Sequence, residues 1–157
     1  MTGASAQTLR RRRARRYARG MADHRAALGR LLTAATAGEL DSVCERFGVE
    51  VLGAFGSATS SDSLAPRDLD LAVRVASERC GNLVDLAAAL HRVCGPAEID
   101  LLDLRTAEPV ATTAGLVGGV PLYEHRAGAF AEAQIAAVLE EMDTAWLRRL
   151  ELDLLSS

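Results

Sequence analysis

The segment DLDLAVRV, from Asp68 to Val75, alternates without a break. Leu69, Leu71, Val73 and Val75 face one side of an extended chain, and Asp68, Asp70, Ala72 and Arg74 the other. Period two over this length predicts a β-strand with one apolar face, which must pair with other strands and be covered by helices. The same geometry puts the Asp68 and Asp70 carboxylates on one face, about 7 Å apart along the chain. Two anions placed in this way repel unless solvated or joined by a cation. Oxygen-only ligands suit a hard ion such as magnesium, which also holds triphosphate oxygens.

The segments around this strand supply partners for it. His24 to Ala35 reads as a helix presenting Leu28, Leu31, Leu32 and Ala35. Leu40, Val43, Cys44 and Phe47 recur at helical spacing up to Gly48. Val49 to Phe55 is a short apolar strand that runs into Gly56-Ser57. Asn82 and Asp85 have the positions of N-cap and N3 residues of a helix that buries Leu83, Leu86, Ala87, Leu90 and Cys94. Ala97 to Leu104 is a third strand, followed by a looser helix from Thr106. Val120 to Tyr123 suits a short edge strand, and a last helix spans about Ala129 to Leu154. Its stripe of Ile135, Val138, Leu139, Met142, Trp146 and Leu150 reads as core, with Leu147, Leu152 and Leu155 lying off it as a second face for a partner. The order of elements predicts an α/β (α+β) domain in which helices cover a small mixed β-sheet.

The 157 residues fit one domain, residues 21–157, behind an Arg-rich tail at residues 1–20. Seven of the eighteen basic residues lie between Arg10 and Arg19, and all eighteen are arginines. The tail has no apolar periodicity and reads as disordered, or as an over-extended reading frame with Met21 the true start. Without it, 11 basic side chains face 21 acidic ones, so the body carries about −10. Nucleic acid is therefore not expected on the body, and any grip on it would have to sit in the tail. No apolar run approaches the ~20 residues of a membrane span, and no signal-type stretch follows the arginines, which points to the cytoplasm. Cys44, Cys80 and Cys94 lack metal or disulfide spacing and read as reduced thiols. His24, His91 and His125 are scattered, with no metal pair among them.

Two further features bear on chemistry. Gly56 permits close backbone approach, and Ser57 offers a hydroxyl and an amide to a phosphate at the entry of a helical turn. On the third strand, Asp100 and Asp103 fall on opposite faces, so only one can join Asp68 and Asp70. Asp100 is nearer the strand start and has apolar neighbours on both sides, and it is the one expected there. A site of this kind works by positioning and charge neutralisation, with little covalent work for the protein.

At these residues the chain resembles the minimal nucleotidyltransferases (MNT) of the polymerase-beta-like superfamily. The signature is Gly-Ser, ten residues, then Asp-x-Asp, and here it reads LGAFGS, ATSSDSLAPR, DLDLAV. EIDLLDL resembles the family's third-acid strand, and GLVGGVPLYE its closing phrase through Leu122, Tyr123 and Glu124. The likeness spans roughly residues 40–125. It implies a nucleotidyltransferase fold in which Asp68 and Asp70 bind two magnesium ions and Asp100 helps to activate an acceptor hydroxyl. It also implies that Gly56 and Ser57 hold the terminal phosphates of ATP. Many MNT proteins are antitoxins that silence a HEPN-type ribonuclease toxin by attaching AMP to one of its tyrosines. The resemblance thus implies a protein adenylyltransferase in a hetero-oligomer. A small-molecule nucleotidyltransferase, for instance of an aminoglycoside, and a non-catalytic antitoxin subunit are the alternatives. The chain departs from the family in two places. Ala58-Thr59-Ser60-Ser61 lacks the loop's usual arginine, and Arg67 precedes the first aspartate where serine is common. Arg67 either replaces the missing charge or pairs with Asp68.

Overall fold

A computed structural model describes residues 24–60, 68–76 and 82–155. Helix α1 occupies residues 24–36, followed by α2 (Glu39–Phe47), β1 (Val49–Phe55), a 3₁₀ turn (Gly56–Ala58) and β2 (Leu69–Val75). Then come α3 (Leu83–Cys94), β3 (Ile99–Asp103), α4 (Pro109–Leu116), β4 (Val120–Glu124) and α5 (Ala129–Leu155). The Arg-rich tail and Arg67 lie outside the described residues.

The strands form one mixed sheet in the order β3-β2-β1-β4. β1 is antiparallel to both β2 and β4, whereas β2 and β3 run parallel. A parallel neighbour needs a crossover, and α3 supplies it. The Asn82 side chain caps that helix by accepting the Val84 amide at 2.9 Å, as its N-cap position predicts. Helices α1, α2 and α3 cover one face of the sheet. Leu31, Leu40, Leu52, Leu69, Leu71, Leu86 and Leu90 are fully buried there, each contributing about 2 kcal/mol. Ala89 lies in this core where Ala87 was expected, because the buried arc of α3 is turned slightly from the one read in the sequence.

The opposite face is covered by α4 and α5, and α5 packs through a different face from the one its apolar stripe predicts. The stripe of α5, at the positions whose side chains are described, is not core: Ile135 is 61% exposed, Met142 67% and Trp146 62%. The helix instead packs through Ala129, Phe130, Ala133 and Ala137 against Val51 and Leu116. Small side chains let the helix axis come close to its support, which the branched stripe would hold away. Gly53 on β1 contributes to this approach, since a Cβ there would stand 2.6 Å from Phe130 Cε2. The side chains of Leu147, Leu152 and Leu155, read as a second face, lie outside the description. Glu124, the last residue of the Leu-Tyr-Glu phrase, accepts the Gly128 and Phe130 amides at 3.2 and 3.1 Å and so fixes the start of α5. None of the described helices is long and apolar enough to cross a membrane.

Candidate active site

Three strands open toward the same end of the sheet: β1 with its C-terminus, β2 and β3 with their N-termini. Cross-strand register then decides which side chains meet. Phe55 pairs with Asp70 across β1 and β2, and Asp70 pairs with Asp100 across β2 and β3. Asp68 stands one residue before β2, whose first amide, Leu69, donates to the Glu98 carbonyl at 2.8 Å. The structure thus brings Asp68, Asp70 and Asp100 to one end of two adjacent strands. Asp103 pairs with Val73 further along, and its carboxylate accepts Arg105 Nε at 3.0 Å and Nη2 at 2.7 Å. That guanidinium holds the Asp103 carboxyl below the usual carboxylate range.

The Gly-Ser turn is built into this cluster. Gly56 adopts a left-handed φ of +71°, and a Cβ on it would lie 2.3 Å from Asp70 Oδ2. No other residue type meets both demands without displacing the carboxylate. The Ser57 amide donates a hydrogen bond to Asp70. The turn is closed by Thr59, whose hydroxyl and amide donate to the Gly56 carbonyl at 2.9 and 3.3 Å.

The electrostatics follow from the packing. Partial burial raises the Asp70 carboxyl above its ordinary value, and the charges of Asp68 and Asp100 raise it further. The His24 imidazole and the Ser57 amide pull it back. A carboxylate crowded by two others attracts a cation, and the oxygen ligands that three carboxylates offer suit a hard one. The donor set is therefore chemically suited to magnesium. As they stand, no three His, Cys, Asp or Glu side chains among the described residues converge closely enough to enclose an ion.

His24, given no role in the sequence reading, lies beside the site. It is 6% exposed, its charge acts on Asp70, and its Nδ1 finds no hydrogen-bond partner among the described residues. The adjacent Arg25 donates from Nη2 to the Ser60 carbonyl, three residues past Ser57, at 3.5 Å. No local pattern marks either residue, because the contacts are made across the fold.

Fold and site together define a nucleotidyltransferase-like α/β domain, a mixed sheet with acids at one end and a Gly-Ser turn beside them. Solved structures of toxin–antitoxin complexes share this fold. A chain of the toxin–antitoxin structure with AMP-PNP superposes with a TM-score of 0.59 at 18% identity, over 76% of this chain and 98% of that one. The MntA–HepT toxin–antitoxin structure gives 0.56 at 18% identity, over 76% and 96%. The tri-AMPylated Shewanella oneidensis HEPN toxin in complex with MNT antitoxin gives 0.57 at 18% identity, over 76% and 95%. The likeness is one of fold, and it agrees with the MNT resemblance read from the residues. No family model and no curated protein matches the chain.

Proposed function

We propose that this chain is a nucleotidyltransferase that moves AMP from ATP to a hydroxyl of a partner protein, a tyrosine of a HEPN-type ribonuclease, and acts as its antitoxin. The observation that carries the proposal is the register that sets Asp70 between Phe55 and Asp100, with the Gly56-Ser57 turn against its carboxylate. Asp68, Asp70 and Asp100 would hold magnesium, which would neutralise charge on the transferring phosphate. Gly56 and Ser57 would receive the terminal phosphates, with the Ser57 amide turning from Asp70 to the nucleotide. Asp100, the most exposed of the three acids, would help to activate the acceptor hydroxyl.

A macromolecular acceptor is supported by the outer face of α5, where Ile135, Val138, Leu139, Met142 and Trp146 are exposed. With Val117 and Gln134, Ile135, Val138 and Leu139 line a groove of about 300 Å³. A continuous apolar stripe of this kind suits a helical protein partner better than water. The solved complexes of like fold pair MNT antitoxin with HEPN toxin.

A second reading, a subunit that blocks its partner by contact alone, is favoured by the Ser57 amide already bound to Asp70. One experiment separates the two. The protein is mixed with magnesium, ATP and the HEPN partner, and the partner is weighed by mass spectrometry. AMP additions that vanish with Asp68→Ala and Asp70→Ala support transfer. Neutralisation of the partner that survives both substitutions supports contact alone.

A further inference from the structure

Helix α5 packs against α4 and the sheet as far as Ala137, and none of its described side chains beyond that residue is buried. Residues 138–155 would extend about 27 Å, and helix of that length without a covered face is marginal in water. Its apolar line from Ile135 to Trp146 needs cover, and charge decides what can supply it. The helix carries six acids and two arginines. Glu141 and Asp143 stand on either side of Met142 in the chain, so at about 100° per residue they border the line on both flanks. Glu140 adds a third charge on the same turn. A second copy would bring the same acids. Antiparallel pairing centred on Met142 sets Glu141 against Asp143, and parallel pairing sets each acid against itself, so like charges meet either way. A basic surface is attracted instead, and an acidic body with 11 basic against 21 acidic side chains adds to that pull.

We propose that the outer face of α5 docks an amphipathic helix of a partner protein whose own apolar stripe is bordered by arginines or lysines. The inference rests on the partner-directed reading above and adds to it the charge and shape of the element that makes contact. The groove beside the line gives that helix an anchor point. Val117, Ile135, Val138 and Leu139 supply its walls. Gln134 completes them, and its amide is engaged with the Leu116 carbonyl at 2.8 Å, so the groove presents hydrocarbon to an incoming side chain. One large apolar side chain seated there, with basic residues reaching Asp143 and Glu140, fixes the register of the two helices.

Trp146 is the chain's single tryptophan, so its emission reports on this face without a label. The full chain is titrated with synthetic helical peptides of roughly twenty residues that share one leucine stripe, bordered by arginine and lysine in the first and by glutamate in the second. A third has the composition of the first in scrambled order. The basic-bordered peptide is expected to shift the emission to the blue and to bind roughly tenfold or more tightly than either of the others. Its advantage should narrow in about 0.5 M salt. Glu140→Lys with Asp143→Lys, both at exposed positions, should reverse the preference while the thermal melt stays unchanged. Equal affinity for the two bordered peptides, no binding of either, or equally tight binding of the scrambled one overturns the assignment. So does a blue shift on concentrating the chain alone, the mark of a second copy. AMP transfer to the HEPN partner without peptide discrimination sinks the docking assignment only, and discrimination without transfer sinks the transfer reading only.

Discussion

The Cβ that Gly56 lacks would stand 2.3 Å from Asp70 Oδ2, so the turn and the acidic strand occupy each other's space. Replacing Gly56 with alanine meets two penalties, the left-handed φ of +71° and this clash. Gly56→Ala is expected to lose at least about 1 kcal/mol in urea unfolding and to push Asp70 out of register with Asp100. Nucleotide transfer should fall more steeply than stability does. Full transfer activity in this variant would show that the close approach has no part in the chemistry.

The crowding of Asp70 has a consequence for stability. Its carboxyl is held above the ordinary 3.8 by burial and by Asp68 and Asp100, so the folded chain binds this proton more tightly than the unfolded one. The contribution is fullest below the unfolded value and is lost as pH rises through the folded one. In metal-free buffer Asp70→Asn should therefore melt higher than wild type at neutral pH. The difference should shrink as pH falls toward 3.8. Melting curves across that range, followed by circular dichroism in chelator, make the comparison.

Cys44 should be chemically silent in the native protein. Burial, with Asp41 and Glu45 adding, pushes its thiol up to about 12, and burial raises that of Cys94 as well. Almost no thiolate forms near pH 8 at such a site. In a Cys80→Ser background, Ellman's reagent should find no rapidly reacting thiol until denaturant is added. Rapid native labelling of Cys44 would contradict its burial.

The outer face of α5 can be changed without touching the core. Met142→Glu with Trp146→Glu should leave urea stability within about 0.5 kcal/mol, because both side chains are already exposed. The same pair should weaken the complex with a HEPN partner roughly tenfold or more, as loss of an apolar anchor does. Calorimetry of the two proteins gives the affinity. An unaltered affinity would place the partner elsewhere on the molecule.

Much of this architecture was legible in the sequence, because most of its elements carry simple periodicities. The alternation from Leu69 to Val75 and the helical spacings of α2 and α3 led directly to the sheet and its cover. Strand alternation allowed only one of Asp100 and Asp103 beside Asp70, and nearness to the strand start and its apolar neighbours selected Asp100, which the register pairs with Asp70. Helix α5 was misread because periodicity identifies an apolar face without saying what covers it. Ala129, Ala133 and Ala137 looked like fillers, yet they form the face that packs. His24 and Arg25 were missed for a different reason. The charge effect of His24 on Asp70 and the bond from Arg25 to Ser60 arise from tertiary folding, which no spacing within α1 encodes.

Helix α5 turns its alanines inward and leaves its tryptophan in water. A chain built this way responds to concentration. When dilute it pays hydration of the stripe, and each rise in the amount of a complementary surface shifts it toward cover by mass action. Under the proposed function, the supply of partner thereby sets how long the stripe stays wet.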